Sequence, residues 1–250
     1  DSNKILDQVQ SGQLKGIRVP SESYRHLRHI TGLRQQYAQD QRRAMHRINS
    51  LLLFEHIQEP KSESAKWSGD YIRSLRDLDL KPVIRLKLDY YLNDLAYARK
   101  NLALMEKEMR LFVRGNPWIQ KDFKLLRSIV GFGFVVPLYL LARIGDPSRL
   151  ENVRELGGFT GLVPSENSTG ERVHRGPITH MGDPRLRSLL IEAAWVAIRK
   201  DSELKAVYHR IKARHRGKGQ GAKKIAIVAI ARRLTARAYR ILKDQRPYVV

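Results

Sequence analysis

At 250 residues the chain is long enough for one large or two modest domains, and 42% hydrophobic residues with 10 Tyr, 6 Phe and 3 Trp can fill a core. Forty-seven Lys and Arg against 25 Asp and Glu leave a formal charge of +22, which repels itself in any compact state and asks for a polyanionic partner. The absence of cysteine excludes a disulfide scaffold, a thiolate zinc site and a cysteine nucleophile, and no apolar run approaches the length of a membrane span.

Taken in chain order, residues 1–20 read as a short helix carrying Ile5, Leu6 and Val9, ended by Ser11-Gly12 and followed by an extended piece stopped by Pro20. Such a piece is too small to fold alone and is expected to be the tail of a preceding domain, in keeping with an opening at Asp1 rather than Met. No signal-peptide pattern is read there. From Ser21, a suitable N-cap with Glu22 in the first turn, a long polar helix is expected to run to about Phe54. Its apolar stripe includes Leu27, Ile30, Leu33, Ala44, Ile48 and Leu51 and is broken at Arg34 and Gln41. Residues 59–69 read as a linker. Then Ile84, Leu88, Tyr91, Leu95, Ala98, Leu102, Met105, Met109 and Phe112 recur in alternating steps of four and three, a heptad seam and a coiled-coil signal. Two long helices joined by a loop make an antiparallel hairpin the natural reading and a coiled coil with a second chain the next.

Gly115-Asn116-Pro117 marks a boundary, so the expected division is 1–20, 21–115 and 116–250. In the last part Phe123–Ile129 and Val135–Ile144 read as apolar helices around Gly131-Phe132-Gly133, and Asp146-Pro147 starts a short helix through Leu156. Residues 157–182 are too broken for a helix and read as a loop or irregular hairpin. One helix face runs from Leu186 to Tyr208 and another from Ile225 to Leu242, with a basic, glycine-containing stretch at 210–224 between them. The fold class expected is mainly α: a long helical hairpin followed by a compact helical domain.

Three places could carry chemistry. Residues 201–250 hold fourteen Lys and Arg against three acids, half of the net charge in a fifth of the chain. Arg210, Lys212, Arg214, Arg216, Lys218, Lys223, Lys224, Arg232 and Arg233 are therefore expected to contact nucleic-acid phosphates, and the plain alternative is a solvated face. Gly131 and Gly133 suit a helix-hairpin-helix-like turn whose backbone amides meet a phosphate, or a tight turn in a core. The hydroxyls of Ser168 and Thr169 lie beside Arg172, His174 and Arg175 on a flexible loop. They have the surroundings of a phosphoryl-transfer nucleophile, and they also suit an ordinary turn. No cluster of carboxylates fit to hold a metal is found. Asp146 and Asp183, each before a proline, read as caps or turns, Glu192 as a salt-bridge partner of Arg187 or Arg199, and His26 and His29 as surface residues.

These residues also carry a resemblance. Asp1-Ser2-Asn3-Lys4-Ile5-Leu6, Ser11 through Pro20, Ile129-Val130-Gly131-Phe132-Gly133, Ile144-Gly145-Asp146, Phe159 through Pro164, Ser168-Thr169-Gly170, Gly176-Pro177-Ile178-Thr179 and Leu189 through Ala194 stand in the order seen in another group of sequences. The chain resembles the DEDD-type insertion-sequence transposases, relatives of the pilin-gene invertases, some of them guided by a bridge RNA. The resemblance implies a RuvC-like nuclease domain largely absent from this chain, a coiled-coil middle and a C-terminal serine transposase domain. It implies that Asp1 is the last of four metal-binding acids, that Mg²⁺ is held mainly by carboxylates before residue 1, and that Ser168, or Thr169 one place on, is the nucleophile. The implied partners are double-stranded DNA, a structured guide RNA and further copies of the chain joined through the coiled coil, with no membrane, in a prokaryotic cytoplasm at the nucleoid. Val130 stands where the family has proline, which loosens the hairpin analogy. The alternative is a non-catalytic RNA- or DNA-binding scaffold.

Overall fold

The computed structural model describes residues 2–13, 19–60, 64–166, 169 and 175–248. Ten α-helices and one two-stranded sheet make up the regular structure of these residues, a mainly α fold. Helix α1 (Ser2–Gln10) buries none of its residues, and Ile5, Leu6 and Val9 are exposed.

Helix α2 (Glu22–Phe54) begins after Ser21, whose extended backbone turns the chain into the helix although its hydroxyl makes no capping bond. Helix α4 (Pro82–Gly115) starts on a proline, which the first turn tolerates because its missing N–H would have no partner there. The two run antiparallel, as Arg34 pairs with Glu106 at 3.0 Å while Arg47, further along α2, pairs with Asp94 at 3.3 Å, earlier in α4. The heptad seam is thus satisfied within one chain: Leu88, Leu95, Ala98 and Met109 are buried, and α2 and α4 share the most extensive helix interface. This is the antiparallel hairpin, the first of the two arrangements read from the seam. It leaves a second line on α4 uncovered, Val83, Tyr90, Tyr97, Leu104 and Leu111, seven residues apart and all exposed.

The described residues of the 59–69 linker or loop are irregular up to Ser68, and only Gly69 is helical. Ser68 accepts a hydrogen bond from the Tyr71 N–H at 3.2 Å and caps α3 (Gly69–Arg76), whose Tyr71 and Leu75 close the far end of the hairpin over Ile48, Leu52, Leu88 and Leu92. That cluster is separate from the larger core because the middle of α2 buries Thr31 and Gln35 instead of apolar residues. Leu33, read on the apolar stripe, faces solvent. The larger core takes in Tyr24 and Leu27 of α2 and Met109 and Val113 of α4, so the base of the hairpin packs into the C-terminal helices.

Those helices are α5 (Pro117–Arg127), α6 (Val135–Ile144), α7 (Val153–Thr160), α8 (Pro184–Lys200), α9 (Ser202–Arg214) and α10 (Gln220–Asp244). Helix α10 packs on α5, α7, α8 and α9, and α6 is buried along almost its whole length. Three expectations are corrected here. The short helix after Asp146 is a single 3-10 turn, Pro147–Arg149, and α7 starts anew where Asn152 accepts from the Arg154 and Glu155 amides. Residues 157–160, read as too broken for a helix, complete α7. The face from Leu186 to Tyr208 is two helices, because Asp201 is extended and caps α9 through the Leu204 N–H at 2.9 Å.

Candidate hydroxyl loop and nucleic-acid interface

The hydroxyl loop springs from a short hairpin. Strand β1 (Pro164–Glu166) pairs antiparallel with β2 (Arg175–Ile178), with Pro164 opposite Ile178 and Glu166 opposite Arg175 across an irregular register. The two sides of its stem are tied together. The Thr179 N–H donates to the Val163 carbonyl and the Asp183 N–H to the Phe159 carbonyl, each at 2.9 Å. Gly161, left-handed at φ +62, meets the backbone of Gly182 so closely that a side chain on either would collide with the other strand of the stem. Asp183 accepts from the Arg185 and Leu186 amides and caps α8, so the outgoing stem leads straight into a helix with one face in the core. Thr169 is exposed and lies in a β-bridge. Asp1, Ser168, Arg172 and His174 lie outside the described residues, and of Arg175 only the backbone, in β2, is described.

The glycine turn is put to work in packing. Gly131 has φ +94, and a methyl group there would strike the Ala193 carbonyl oxygen on α8. Phe132 is buried, whereas Gly133 faces open space. The turn between α5 and α6 therefore holds α6 against α8 through Gly131, and only Gly133 is free to face a ligand.

The basic stretch at 210–224 is mostly helical, which corrects its reading as an intervening segment. Arg210, Lys212 and Arg214 are on α9, Arg216 and Lys218 on the following 3-10 turn (Arg216–Lys218), and Lys223, Lys224, Arg232 and Arg233 on α10. All nine are exposed except the half-buried Lys212, and among the described residues none of the nine has an acidic partner. A run of cations without counter-ions costs folding free energy by mutual repulsion, which bound phosphate removes. Arg232 and Arg233 line a cavity of about 330 Å³ with Arg154, Gly157 and Val163, at the root of β1. Lys224 lies about 12 Å from Arg232 along α10 at 1.5 Å per residue. The nine cations thus extend from the α9–α10 turn to the loop stem.

A second basic place has no signal in the sequence. Arg28 of α2 donates to the Ala142 and Arg143 carbonyls at the end of α6, the latter at 3.0 Å, and shares an 820 Å³ groove with Arg143, Arg149, Phe159, Met181 and Asp183. Arg28 and Arg143 are 115 residues apart, beyond any motif spacing. Arg143 is ion-paired to Asp183 at 2.6 Å. Burial draws its guanidinium down, but its hydrogen bond to the Tyr139 hydroxyl and the Asp183 charge outweigh that and hold it protonated.

Among the described residues no three His, Asp or Glu side chains gather where a metal could sit. His26 lies 3.7 Å from Glu22. Asp146 and Asp183 are caps, as their prolines suggested. Glu192 lines a cavity between α2 and α8 with Arg34 and Arg185, and no ion pair joins it to Arg187 or Arg199 among the described residues. No helix is long and apolar enough to cross a membrane.

Residues 123–209, from α5 into α9, match the Transposase IS116/IS110/IS902 family. Over 197 residues, 78% of its length, the chain is 26% identical to a putative transposase, y4qE, of Sinorhizobium fredii, covering 46% of that protein. It is 26% identical over 172 residues to the transposase for insertion sequence element IS1111A of Coxiella burnetii, with 68% of this chain and 45% of the relative aligned. Over 149 residues, 59% of this chain and 45% of the relative, it is 26% identical to a pilin gene-inverting protein of Moraxella bovis. The chain spans less than half the length of each of these relatives.

Proposed function

We propose, from the match of residues 123–209 to the Transposase IS116/IS110/IS902 family, that the chain is the part of an insertion-element recombinase that grips DNA and delivers a serine hydroxyl to it. The observation that carries this reading is a hydroxyl-bearing loop whose closed stem leads from α7 into α8, with two cations of α10 that have no acidic partner among the described residues at the root of β1. Ser168 Oγ attacks a DNA phosphorus and gives up its proton, the bond from phosphorus to one sugar oxygen breaks, and a phosphoserine holds the cut strand. A hydroxyl of the second strand then attacks the same phosphorus and frees the serine. One phosphodiester replaces another, so the exchange needs no energy source. Arg232 and Arg233 stabilise the charge that grows on phosphate, joined by Arg172, His174 and Arg175 on the loop.

The cations of the α9–α10 turn hold phosphates of duplex DNA and of a structured guide RNA, in which base pairing chooses the sequence and the protein reads backbone shape. Mg²⁺, when bound, would stabilise the reacting oxygens. The described residues gather no carboxylates for it; Asp1 and carboxylates before residue 1 would hold it. A second copy is held through the exposed seven-residue line on α4 rather than the buried seam.

In protein assembled with element-end DNA and its RNA, Ser168→Ala is expected to abolish strand exchange while DNA binding in a gel-shift assay stays within about twofold. Loss of exchange in Thr169→Val with Ser168→Ala active would move the nucleophile to Thr169. Exchange retained by both variants would overturn the enzymatic reading and leave a nucleic-acid scaffold.

A further inference from the structure

We propose that the groove lined by Arg28, Arg143, Arg149, Phe159 and Met181 binds an unpaired nucleic-acid strand beside the hydroxyl loop, taking a phosphodiester on its guanidinium groups and a base on its apolar floor. This rests on the reading of the chain as a nucleic-acid recombinase and adds a second site to it, separate from the α9–α10 cations.

Three guanidinium groups meet in the groove, and they are unequally matched. Arg28 spends donors on two neutral carbonyls, Ala142 and Arg143, and Arg143 takes the one carboxylate that faces it, Asp183. Glu155, also on the wall, is turned to its own helix, accepting from the Glu151 N–H at 3.1 Å and from the Asn152 amide. Arg149 has no carboxylate partner among the described residues and lies over the Phe159 ring at 4.9 Å. Burial first, then the charges of Arg143 and Arg149, hold the Arg28 guanidinium below its ordinary range, as expected of cations crowded without enough counter-charge. One phosphate would relieve that repulsion.

The floor points to a base. Phe159 is half-buried with a cation already on one face, and Met181 is 89% exposed at the groove's edge. Aromatic rings beside arginines are the common platform for single strands, since every base presents a π-face whatever its sequence. A groove of about 820 Å³ has room for a phosphodiester and a base laid on the Phe159 ring, and a base in a duplex is stacked on its neighbours and does not offer its face to such a ring. Its position gives the strand a purpose. Phe159 enters the loop stem and Met181, Gly182 and Asp183 leave it, so a strand lying here runs along the base of the stem that carries the loop.

The test measures binding of the intact chain to labelled oligonucleotides of about 12 nucleotides, DNA and RNA of one sequence, and to the matching DNA duplex, over a range of salt. Phe159→Leu is expected to weaken single-strand binding about tenfold and leave duplex binding unchanged. Arg149→Gln is expected to lower the slope of log K against log salt for single strands by about 0.7, and Arg149→Lys to restore it. Circular dichroism and melting confirm that each variant folds. Weakening of both oligonucleotides supports a site for the phosphodiester and base they share, and weakening of one alone identifies the strand as DNA or RNA. As a control, Arg214→Gln, Arg216→Gln, Lys218→Gln and Lys224→Gln combined should lower the duplex slope by about 3 to 4. Groove variants that bind single strands like wild type, while the combined variant loses duplex binding, overturn the groove and leave the recombinase reading standing. If the combined variant too binds unchanged, the nucleic-acid reading itself falls.

Discussion

The Asp201 carboxylate is 1% exposed, and its companion Arg237 reaches it from α10 at 3.0 Å with a side chain only 15% exposed. Burial pushes the carboxyl upward, but the Leu204 amide and the Arg237 guanidinium outweigh it, so its pKa lies below the ordinary 3.8. The stability this contributes is present above the unfolded value and is lost as pH falls through the depressed folded value. Arg237→Met leaves the charge buried and alone and is expected to cost about 3 kcal/mol in urea unfolding at pH 7. The same variant should lose less on acidification than wild type, because protonating Asp201 no longer breaks a pair; an unchanged acid profile would count against this account. At this scale the sequence was readable where a residue acts on its own backbone. Asp146 and Asp183 precede prolines and cap, whereas Asp201, read in mid-helix, needed Arg237 thirty-six positions away to explain it.

Between elements, the turn from α5 to α6 is held by Gly131, whose φ of +94 and contact with the Ala193 carbonyl leave no space for a side chain. Gly131→Ala is expected to destabilise by about 2 kcal/mol or more, read as a fall in the urea midpoint. Gly133→Ala, in open space, should stay within about 0.5 kcal/mol of wild type. If Gly133 meets a phosphate, its substitution weakens DNA binding at unchanged stability; unaltered binding would assign the whole turn to packing. The Gly-x-Gly pattern alone left both uses open because it states where the backbone is free and not what lies against it. Helix periods were legible where apolar steps were regular, as in α4, and failed at α3 and at the α8–α9 break, where a short helix or a single extended residue is set by neighbours.

Across the whole molecule, the hairpin carries two apolar lines on one helix. One is buried against α2, and Val83, Tyr90, Tyr97, Leu104 and Leu111 extend along the other for about 42 Å at 1.5 Å per residue. This line is where the proposed pairing with a second copy would sit. If wild type is larger than one chain by light scattering, the double variant Tyr90→Glu/Leu104→Glu is expected to lower that mass to one chain with helical content unchanged; a wild type of one-chain mass, or an unchanged mass in the variant, would rule out pairing along this line.

Sequence alone determined the mainly helical class, the heptad repeat, the capping aspartates and the concentration of charge after residue 200, since each is a local pattern of residue types. Only the tertiary structure decided which helix takes the seam, that Gly131 serves packing, and that Arg28 joins Arg143 and Arg149 around one groove. These are relations between distant residues, fixed by how long helices fill a common core. The +22 charge announced a polyanion. The fold sorts part of it into an outer run on α9 and α10 that has no acidic partner among the described residues, and a second set beside the loop stem, because Arg28 comes from 115 positions away to join Arg143 and its near neighbour Arg149 where α2 crosses the end of α6.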